Sequence, residues 1–546
     1  MFKDILELTK KMVSIDSVNG SHGEKEIGVF IENYFRNISY FKDHPDNIII
    51  QKLKNDPFER QNVLVLLRGE KSSSETAIIL HGHTDTVGIE DYGNLSEYAF
   101  DTDKLMENLK KIKLPDDVKK DLMSGDYLFG RGACDMKSGD AVFMVLMKYL
   151  SEHAHEFSGN IIAMFNPVEE NLHTGIIEAR EILDDLIKKY NFKYKLAINN
   201  DYICPLYPND TTRHVYVGAV GKILPCFYIQ GKETHVGQCF EGFDASLTAA
   251  ELVRNIDLNP HFCEEYNGEY TIPPSVLKVK DLKIEYNVQT SFNSFVYFNY
   301  FIHNAYIKDI TEKLRQASTD VLNNTEKLLN ERYQEYCRLT NIPYSKISYK
   351  NQVLSYDELV NLAERKYTGN LKKLIAGNTE EMLATNIDKR EIPMNIVKKL
   401  CNIAQINIPT IVFFFAAPYC PHNTLKKEVE DEKMVFNKLS QIINEFQKES
   451  NEKYEMHQFF PSLTDSSYLK IDDDDESIKL LLKNFPMYEK LYNVPLDKIK
   501  KLNIPAINYG CFGKDAHKWT ERVYMPYSFN VLPKLILNTI DCFLKI

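Results

Sequence analysis

The chain has 546 residues, 44% of them hydrophobic, which is enough for two or three domains with separate cores. Its formal net charge of −11 argues against nucleic acid or an anionic membrane surface as a bulk partner. The ten cysteines include no Cys-x-x-Cys pair, so no disulfide framework is predicted. The charged start, residues 1–7, is unlike a signal peptide, and no apolar run approaches the roughly 18–20 residues of a membrane helix. We therefore expect a cytoplasmic protein with no membrane partner.

The first part of the chain alternates helical and strand patterns. In order, the apolar spacing predicts a helix over 3–13, a helix after Gly23, strands at 62–67 and 77–80, a helix from Ser138, a strand at 161–165, a helix over 175–189 and a strand at 196–198. This alternation is typical of an α/β sheet covered by helices on both faces. In such sheets ligands bind beyond the carboxyl ends of the strands.

The pattern changes near Thr212. It predicts a strand over 214–230, a helix over 243–256, strands at 276–286 and 292–304, a long polar helix over 307–338 and a closing strand at 346–349. This β-α-β-β-α-β order indicates a compact α+β domain inserted into the first one. After about Ser355 the first type of pattern resumes, with strands at 410–416 and 504–507 and a last helix from Ser528. The predicted domains are therefore 1–212 with 355–546, and 213–354.

Five short motifs follow apolar runs and so fall at strand ends or in the turns after them. They are Gly82-His83-Thr84-Asp85, Gly130-Arg131-Gly132-Ala133-Cys134-Asp135, Pro167-Val168-Glu169-Glu170, Asn199-Asn200-Asp201 and Asp515-Ala516-His517. Two histidines and three carboxylates suit two zinc-like ions that share one bridging carboxylate. Two further acids are then left for orientation and proton transfer. Alone, a His-x-Asp after a strand is more often a hydrogen-bonded turn, and a Glu-Glu pair more often lies on the surface. Together, the five motifs favour a metal site.

The motifs resemble those of the co-catalytic zinc peptidases and amidohydrolases that include carboxypeptidase G, acetylornithine deacetylase, succinyl-diaminopimelate desuccinylase and aminoacylase. Within that family the chain is most similar to RocB-type arginine-utilisation proteins. The closer similarity lies in Asn199-Asn200-Asp201-Tyr202, Ala417-Pro418-Tyr419-Cys420-Pro421-His422 and Phe460-Pro461-Ser462-Leu463-Thr464-Asp465-Ser466-Ser467-Tyr468. The resemblance implies a three-layer α/β/α catalytic domain of zinc-exopeptidase type and an inserted lid domain.

The same resemblance assigns roles to the motif residues. It implies that Asp135 bridges two ions, that His83 and Asp201 bind the first, and that Glu170 and His517 bind the second. Asp85 is expected to hold the far ring nitrogen of His83 and fix its tautomer. Glu169 is expected to take a proton from the attacking water and later deliver it to the leaving amine. A cis peptide bond between Asp135 and Met136 is also implied, and Trp519 and Glu521 are expected to orient the loop after His517.

Other residues match family positions near the substrate. His235, in Gly231-Lys232-Glu233-Thr234-His235-Val236-Gly237, resembles the lid histidine that stabilises the tetrahedral oxyanion, although such a histidine alone is more often an exposed loop residue. The resemblance also assigns substrate-site positions to Asn293, Thr464 and Asp465, the last two in a substrate-binding or orienting role. His303 stands near the point where the family normally has an arginine, so the usual recognition of a substrate α-carboxylate is not expected.

We expect a metal-dependent hydrolase that cleaves an amide bond of a small N-acyl amino acid or amino-acid derivative. The link to arginine utilisation favours a deacylase of amino-acid catabolism. An exopeptidase on short peptides, and a catalytically silent binding or regulatory protein on the same fold, are the alternatives. The implied cofactors are two divalent ions, Zn²⁺ first, with Co²⁺ or Mn²⁺ possible. The charge-rich helix over 307–338 favours a monomer or small homodimer in which lid closure brings His235 to the metals within one chain.

Overall fold

The structure is a computed structural model that describes residues 1–304, 306–385 and 387–544. Its α-helices are α1 (Phe2–Val13), α2 (Gly23–Arg36), α3 (Ser39–Asp43), α4 (Thr102–Leu109), α5 (Asp116–Ser124), α6 (Lys137–Glu152), α7 (Thr174–Tyr190), α8 (Ala245–Ile256), α9 (Ile307–Thr340), α10 (Tyr356–Glu364), α11 (Leu371–Leu383), α12 (Glu391–Ile403), α13 (Glu430–Ser450), α14 (Asp475–Lys483), α15 (Tyr488–Leu491), α16 (Leu496–Leu502) and α17 (Leu532–Leu544).

The strands divide between two larger sheets and several short pairings. They are β1 (Ile48–Lys52), β2 (Gln61–Arg68), β3 (Thr76–His83), β4 (Tyr127–Phe129), β5 (Asn160–Asn166), β6 (Lys193–Asn199), β7 (Arg213–Tyr216), β8 (Gly218–Ala219), β9 (Gly221–Gln230), β10 (Glu265–Tyr266), β11 (Glu269–Tyr270), β12 (Ser275–Asp281), β13 (Asn293–Ile302), β14 (Gln352–Ser355), β15 (Thr410–Cys420), β16 (Asn423–Thr424), β17 (Tyr454–His457), β18 (Ala506–Asn508), β19 (Gly513–Lys514) and β20 (Arg522–Tyr524).

The chain forms two compact units. The first comprises Met1–Ala219, Asn423–Ile471 and the chain from Pro495 onwards, and the second comprises Val220–His422 and Asp472–Val494. The first unit contains an eight-stranded mixed sheet in the order β1-β2-β5-β3-β6-β18-β7-β17. Strands β5, β3, β6 and β18 run parallel to one another, so their carboxyl ends meet at one edge.

Helices cover both faces of this sheet, as the α/β/α prediction requires. Alternate residues of β2, such as Val63 and Val65, belong to a core that also contains residues of α1, α2, α6, α13 and α17. The intervening residues Leu64 and Leu66 are also buried, so the opposite face is covered as well. Burial of a strand on both faces is expected where helices pack on each side of the sheet.

The second unit is built on a five-stranded sheet in the order β12-β13-β9-β15-β14. Along the chain, β9, α8, β12, β13, α9 and β14 follow one another in the predicted order, with a short β10–β11 hairpin added. One face of the sheet packs against α10, α11 and α12, in a core that includes Tyr228, Phe295 and Phe414.

The division between the units differs from the predicted boundary at residue 354. The sequence pattern predicts residues 410–416 in the catalytic domain, but they belong to β15, which lies between β9 and β14 in the second sheet. The second unit therefore continues to His422 and also takes in Asp472–Val494. The apolar run of β15 predicts a buried strand without indicating which of two sheets will bury it.

Two predicted strands also change. The single strand expected over 214–230 is three strands, because β7 pairs with β17 in the first unit whereas β9 pairs with β13 and β15 in the second. Residues 346–349 form no strand: the backbone N–H groups of Ile347 and Tyr349 donate to the side chains of Asn330 and Glu326 on α9, each at 2.8 Å. Among the described residues, no helix is long and apolar enough to cross a membrane.

Candidate dinuclear metal centre

Three of the predicted ligands lie at or just after the carboxyl ends of three adjacent parallel strands, at one edge of the first sheet. His83 is the last residue of β3, Glu170 follows β5, and Asp201 follows β6. Strand β3 lies between β5 and β6, so the three side chains start from neighbouring positions. This is the placement predicted from the points at which the apolar runs stop.

Asp135 lies in the turn that leads into α6, and its peptide bond to Met136 is cis, as the resemblance implies. The Glu521 carboxylate accepts hydrogen bonds from the backbone N–H groups of Cys134 (3.0 Å) and Asp135 (3.2 Å). Its other oxygen accepts one from buried Arg131 at 2.7 Å. Glu521 thereby holds the turn that aims Asp135, which is a different segment from the His517 loop that it was expected to orient.

The five predicted ligand side chains converge. Asp135 lies between the two histidines: its Oδ1 is 3.0 Å from His83 Nε2 and its Oδ2 is 3.0 Å from His517 Nε2. His517 Nε2 is also 2.8 Å from Glu170 Oε1. Ligand atoms of His83, Asp135 and Asp201 lie within 4.8 Å of one another, and so do those of Asp135, Glu170 and His517. The two sets share only Asp135, so these residues could hold two ions with Asp135 as the shared ligand, as the resemblance implies.

The charges of this cluster fit two divalent ions. The His517 ring is about half exposed, and its hydrogen bonds with Asp135 and Glu170 outweigh its partial desolvation and raise its pKa to about 12. For Asp201, burial disfavours the charged carboxylate and raises its pKa well above the usual range. Because Asp135 and Glu170 stabilise the protonated His517 ring, the site favours positive charge. Divalent ions compete with protons for these same atoms.

Asp85 does not make the predicted contact with His83. Its carboxylate is 3.7 Å from His83 Nδ1, beyond hydrogen-bond distance, whereas its backbone carbonyl accepts from that nitrogen at 3.1 Å. The Asp85 carboxylate instead accepts hydrogen bonds from the backbone N–H groups of Glu169 and Glu170, each at 3.0 Å. The tautomer of His83 is thus fixed by a carbonyl, and the side chain of Asp85 positions the Glu-Glu pair. The two backbone donors bond different oxygens of the carboxylate, and the two-residue spacing between His83 and Asp85 does not reveal them.

Glu169 is buried beside the ligands, with its carboxylate within 4.8 Å of ligand atoms of His83 and Glu170. Burial raises the pKa of Glu169 well above its usual range, and the neighbouring His83 and His173 oppose that shift. A carboxyl group with a raised pKa can hold a proton near neutral pH. A general base that later acts as an acid must do this between the two proton transfers.

His173 is a site residue that sequence reasoning missed. Its Nδ1 is 3.0 Å from Asp465 Oδ1 and 3.9 Å from Glu169 Oε1, and all three side chains are buried. Asp465 therefore lies next to the proposed general base. Thr464 accepts a hydrogen bond from Asn199 at 2.5 Å, so its hydroxyl is tied to the end of β6. The histidine four residues after Glu169 was visible in the sequence, but it matched no family motif.

The sequence is similar to those of known proteins. A model of peptidase family M20/M25/M40 matches residues 79–472. The chain is 36% identical to Protein RocB of Bacillus subtilis (strain 168), over 97% of this chain and 93% of that one. The chain belongs to peptidase family M20/M25/M40. It is a metal-dependent hydrolase, as the ligand cluster predicts.

Two further comparisons concern sequence and fold. The chain is 32% identical to Uncharacterized protein YqjN of Bacillus subtilis (strain 168), over 99% of this chain and 96% of that one. A tripeptidase structure from Staphylococcus aureus subsp. aureus mu50 has a TM-score of 0.54 and 13% identity, over 100% of this chain and 99% of the other. This M20 chain therefore shares the fold of that tripeptidase.

Two other predicted residues of this M20 chain, His235 and Asn293, lie in the second unit. His235 is exposed, and its Nδ1 accepts a hydrogen bond from the backbone N–H of Gly237 at 3.0 Å. Asn293 begins β13, is buried, and donates to the Tyr228 hydroxyl at 3.0 Å. Their roles at the metal centre stay predictions.

Proposed function

We propose that this M20 hydrolase cleaves an amide bond of a small N-acyl amino acid or amino-acid derivative, with Glu169 as general base. The observation that supports this most directly is the buried Glu169 carboxylate beside five converging ligand side chains. Glu169 and Glu170, which bring a carboxylate beside the cluster and one into it, are consecutive residues that Asp85 holds by their backbone. Such a set can bind cations and move a proton within one site.

The proposed mechanism assigns separate tasks to the chain's own residues. Two divalent ions, which we propose to be Zn²⁺, supply Lewis-acid polarisation and lower the pKa of a nearby water when bound. His83, Asp135, Glu170, Asp201 and His517 hold those ions. Glu169 accepts the proton of the attacking water at its carboxylate and passes it to the leaving amine nitrogen. His235 donates a hydrogen bond to the substrate oxygen as it becomes negatively charged.

The similarity to RocB-type proteins supports a deacylase that acts on derivatives of arginine or related amino acids in the cytoplasm. The cysteines of the described structure are all free thiols, which accords with a reducing compartment. The description of the matching family as a peptidase family favours the second candidate, an exopeptidase on short peptides. Both candidates use the same chemistry and differ in what the substrate pocket accepts.

Metal analysis combined with a substrate panel tests these proposals. The protein is loaded in turn with Zn²⁺, Co²⁺ and Mn²⁺, and hydrolysis of acyl-arginine, acyl-ornithine, other acyl-amino acids and dipeptides is measured. Turnover restricted to acyl-arginine or acyl-ornithine supports the deacylase, and broad dipeptide cleavage supports the exopeptidase. Two bound ions with no turnover of any substrate would contradict both and favour a catalytically silent protein.

A further inference from the structure

A second group of side chains with potential metal-ligand atoms lies at the outer edge of the first sheet. His214 is on β7 and Glu455 and His457 are on β17, the last strand of the sheet. The two strands are parallel, with Glu455 opposite His214 and His457 opposite Tyr216. Opposite residues share a face, and so do residues two apart on a strand, so the three side chains project from one face. None of them belongs to the dinuclear centre.

The potential ligand atoms of this group are as close together as those of the dinuclear centre. His214 Nδ1 is 2.8 Å from His457 Nε2, and a Glu455 carboxylate oxygen completes a set within 4.8 Å of one another. In the dinuclear centre the contacts between histidine nitrogens and carboxylate oxygens are 2.8–3.0 Å. Two nitrogens on one tetrahedral zinc ion are roughly 3.3 Å apart, given Zn–N bonds of about 2.0–2.1 Å. A shift of about half an ångström, similar in both clusters, would admit the ion.

Asp210 fixes the ring of His214 in the orientation that a metal ligand needs. Its Oδ2 is 2.7 Å from His214 Nε2. The same carboxylate accepts backbone hydrogen bonds from Leu206 (3.1 Å) and Thr212 (2.9 Å), which hold it in place. A carboxylate on one ring nitrogen keeps the proton there and directs the lone pair of the other nitrogen to the metal. Here that lone pair, on Nδ1, points at His457.

The residues around this group leave it open to solvent on one side and restrict the movement of its side chains. His214 is buried, His457 is half-buried and Glu455 is exposed, so an ion can enter from solvent. The Tyr216 ring stacks on the His457 ring, with centroids 5.3 Å apart, and limits its rotation. Two imidazoles and a carboxylate, with water as a fourth ligand, form a donor set suited to Zn²⁺. Without a metal, the same contact is a hydrogen bond between the two histidine rings.

We propose that His214, His457 and Glu455 bind a third divalent ion, Zn²⁺, which links the edge strand β17 to β7, with Asp210 orienting His214. The site is separate from the dinuclear centre in its residues. The proposal therefore does not depend on the substrate or on the reaction assigned to that centre.

Zinc content measured on the full-length protein tests the proposal. Wild type, His457→Ala and His155→Ala are equilibrated at the same micromolar free Zn²⁺, and zinc per chain is determined. We expect His457→Ala to hold one zinc fewer than wild type. His155→Ala is the matched control, because His155 is exposed and outside the cluster, and it should keep the wild-type content. Asp210→Asn should weaken the binding of one zinc by about 10–100-fold.

Equal zinc content in folded wild type and folded His457→Ala would overturn the proposal and leave the hydrogen-bonded histidine pair. If His457→Ala does not fold, the wild-type protein is tested instead. Crystals grown at the same free Zn²⁺ should then show anomalous scattering at the zinc edge between His214 and His457. A peak at the dinuclear centre with none at this position would equally overturn it. If zinc binds between His214 and His457 but the dinuclear centre binds no metal or shows no turnover, only the proposed function is contradicted.

Discussion

Glu169 and Glu170 are consecutive residues with different surroundings. The Glu170 carboxylate contacts His517, whereas that of Glu169 lies toward His173 and Asp465. Asp85 holds the backbone of both residues, so the divergence of the two side chains is fixed at the backbone. One carboxylate can thus bind an ion while its neighbour remains available to exchange a proton with water.

The first prediction separates proton transfer from metal binding. Glu169→Gln keeps the shape of the side chain and removes the proton acceptor, so kcat should fall by at least about a hundredfold. Metal content should stay near two ions per dinuclear centre. His517→Ala is the contrasting variant, and it should lower the occupancy of one ion. Turnover and metal content are measured on the same preparations, and full activity of Glu169→Gln would exclude its role as general base.

The second prediction concerns His173 as a positioning residue. The ring lies between Asp465 and Glu169, so His173→Asn should let the Glu169 carboxylate move away from its reacting position. A displacement of about 1 Å can cost on the order of a hundredfold in rate, so we expect kcat to fall ten- to hundredfold with little change in KM. Metal content should be unchanged. The control is His155→Asn at an exposed position, and equal kcat in the two variants would exclude the positioning role.

At the scale of single residues, the sequence indicates which residues belong to the site better than it indicates which atoms they contact. The places where apolar runs stop put His83, Glu170 and Asp201 at one sheet edge, and the structure agrees. The partner of Asp85 could not be obtained in this way, because the backbone donors it contacts carry no side-chain pattern. His173 was missed for a similar reason: a four-residue spacing after Glu169 becomes meaningful only once Asp465 is brought in from nearly three hundred residues away.

At the scale of elements, helices and buried strands follow from apolar spacing, but sheet membership does not. Helices α6 and α7 and strands β3 and β5 lie within a few residues of their predicted bounds, because periodicity and caps are local. Strand β15 shows the limit. Its eleven residues are all buried, and burial on both faces is equally compatible with either sheet. Only pairing with β9 and β14, far away in sequence, places it in the second unit.

The third prediction concerns the long helix α9. Leu314 and Leu339 are both in this helix, but Leu314 is fully buried and Leu339 is 70% exposed. Leu314→Ala should destabilise the fold by about 2–5 kcal/mol, because it leaves a cavity in the packed half of the helix. Leu339→Ala should change the free energy of unfolding by about 0.5 kcal/mol or less. Urea unfolding monitored for both variants checks this, and equal destabilisation would mean that the two halves of α9 pack alike.

At the scale of the whole molecule, the chain consists of two units with separate hydrophobic cores. The metal ligands and Glu169 belong to the first unit, and His235 belongs to the second. If the oxyanion histidine is His235, each catalytic event needs residues of both units. The source of His235, from the same chain or from a second copy, then determines whether the monomer can be active.

The last prediction is that a monomer, or a dimer with independent sites, is the active form and that His235 acts within its own chain. Measurement of the solution mass establishes the oligomeric state, and mixing two inactive variants establishes the source of the histidine. In a mixture of His235→Ala and Glu169→Gln proteins, unfolded and refolded together, activity should stay at the level of the separate variants. If the partner supplied the histidine, a mixed dimer would contain one complete site, with Glu169 from one chain and His235 from the other. Recovery toward about a quarter of wild-type activity would therefore overturn the single-chain arrangement, because half of the dimers would be mixed and each would have one working site of two.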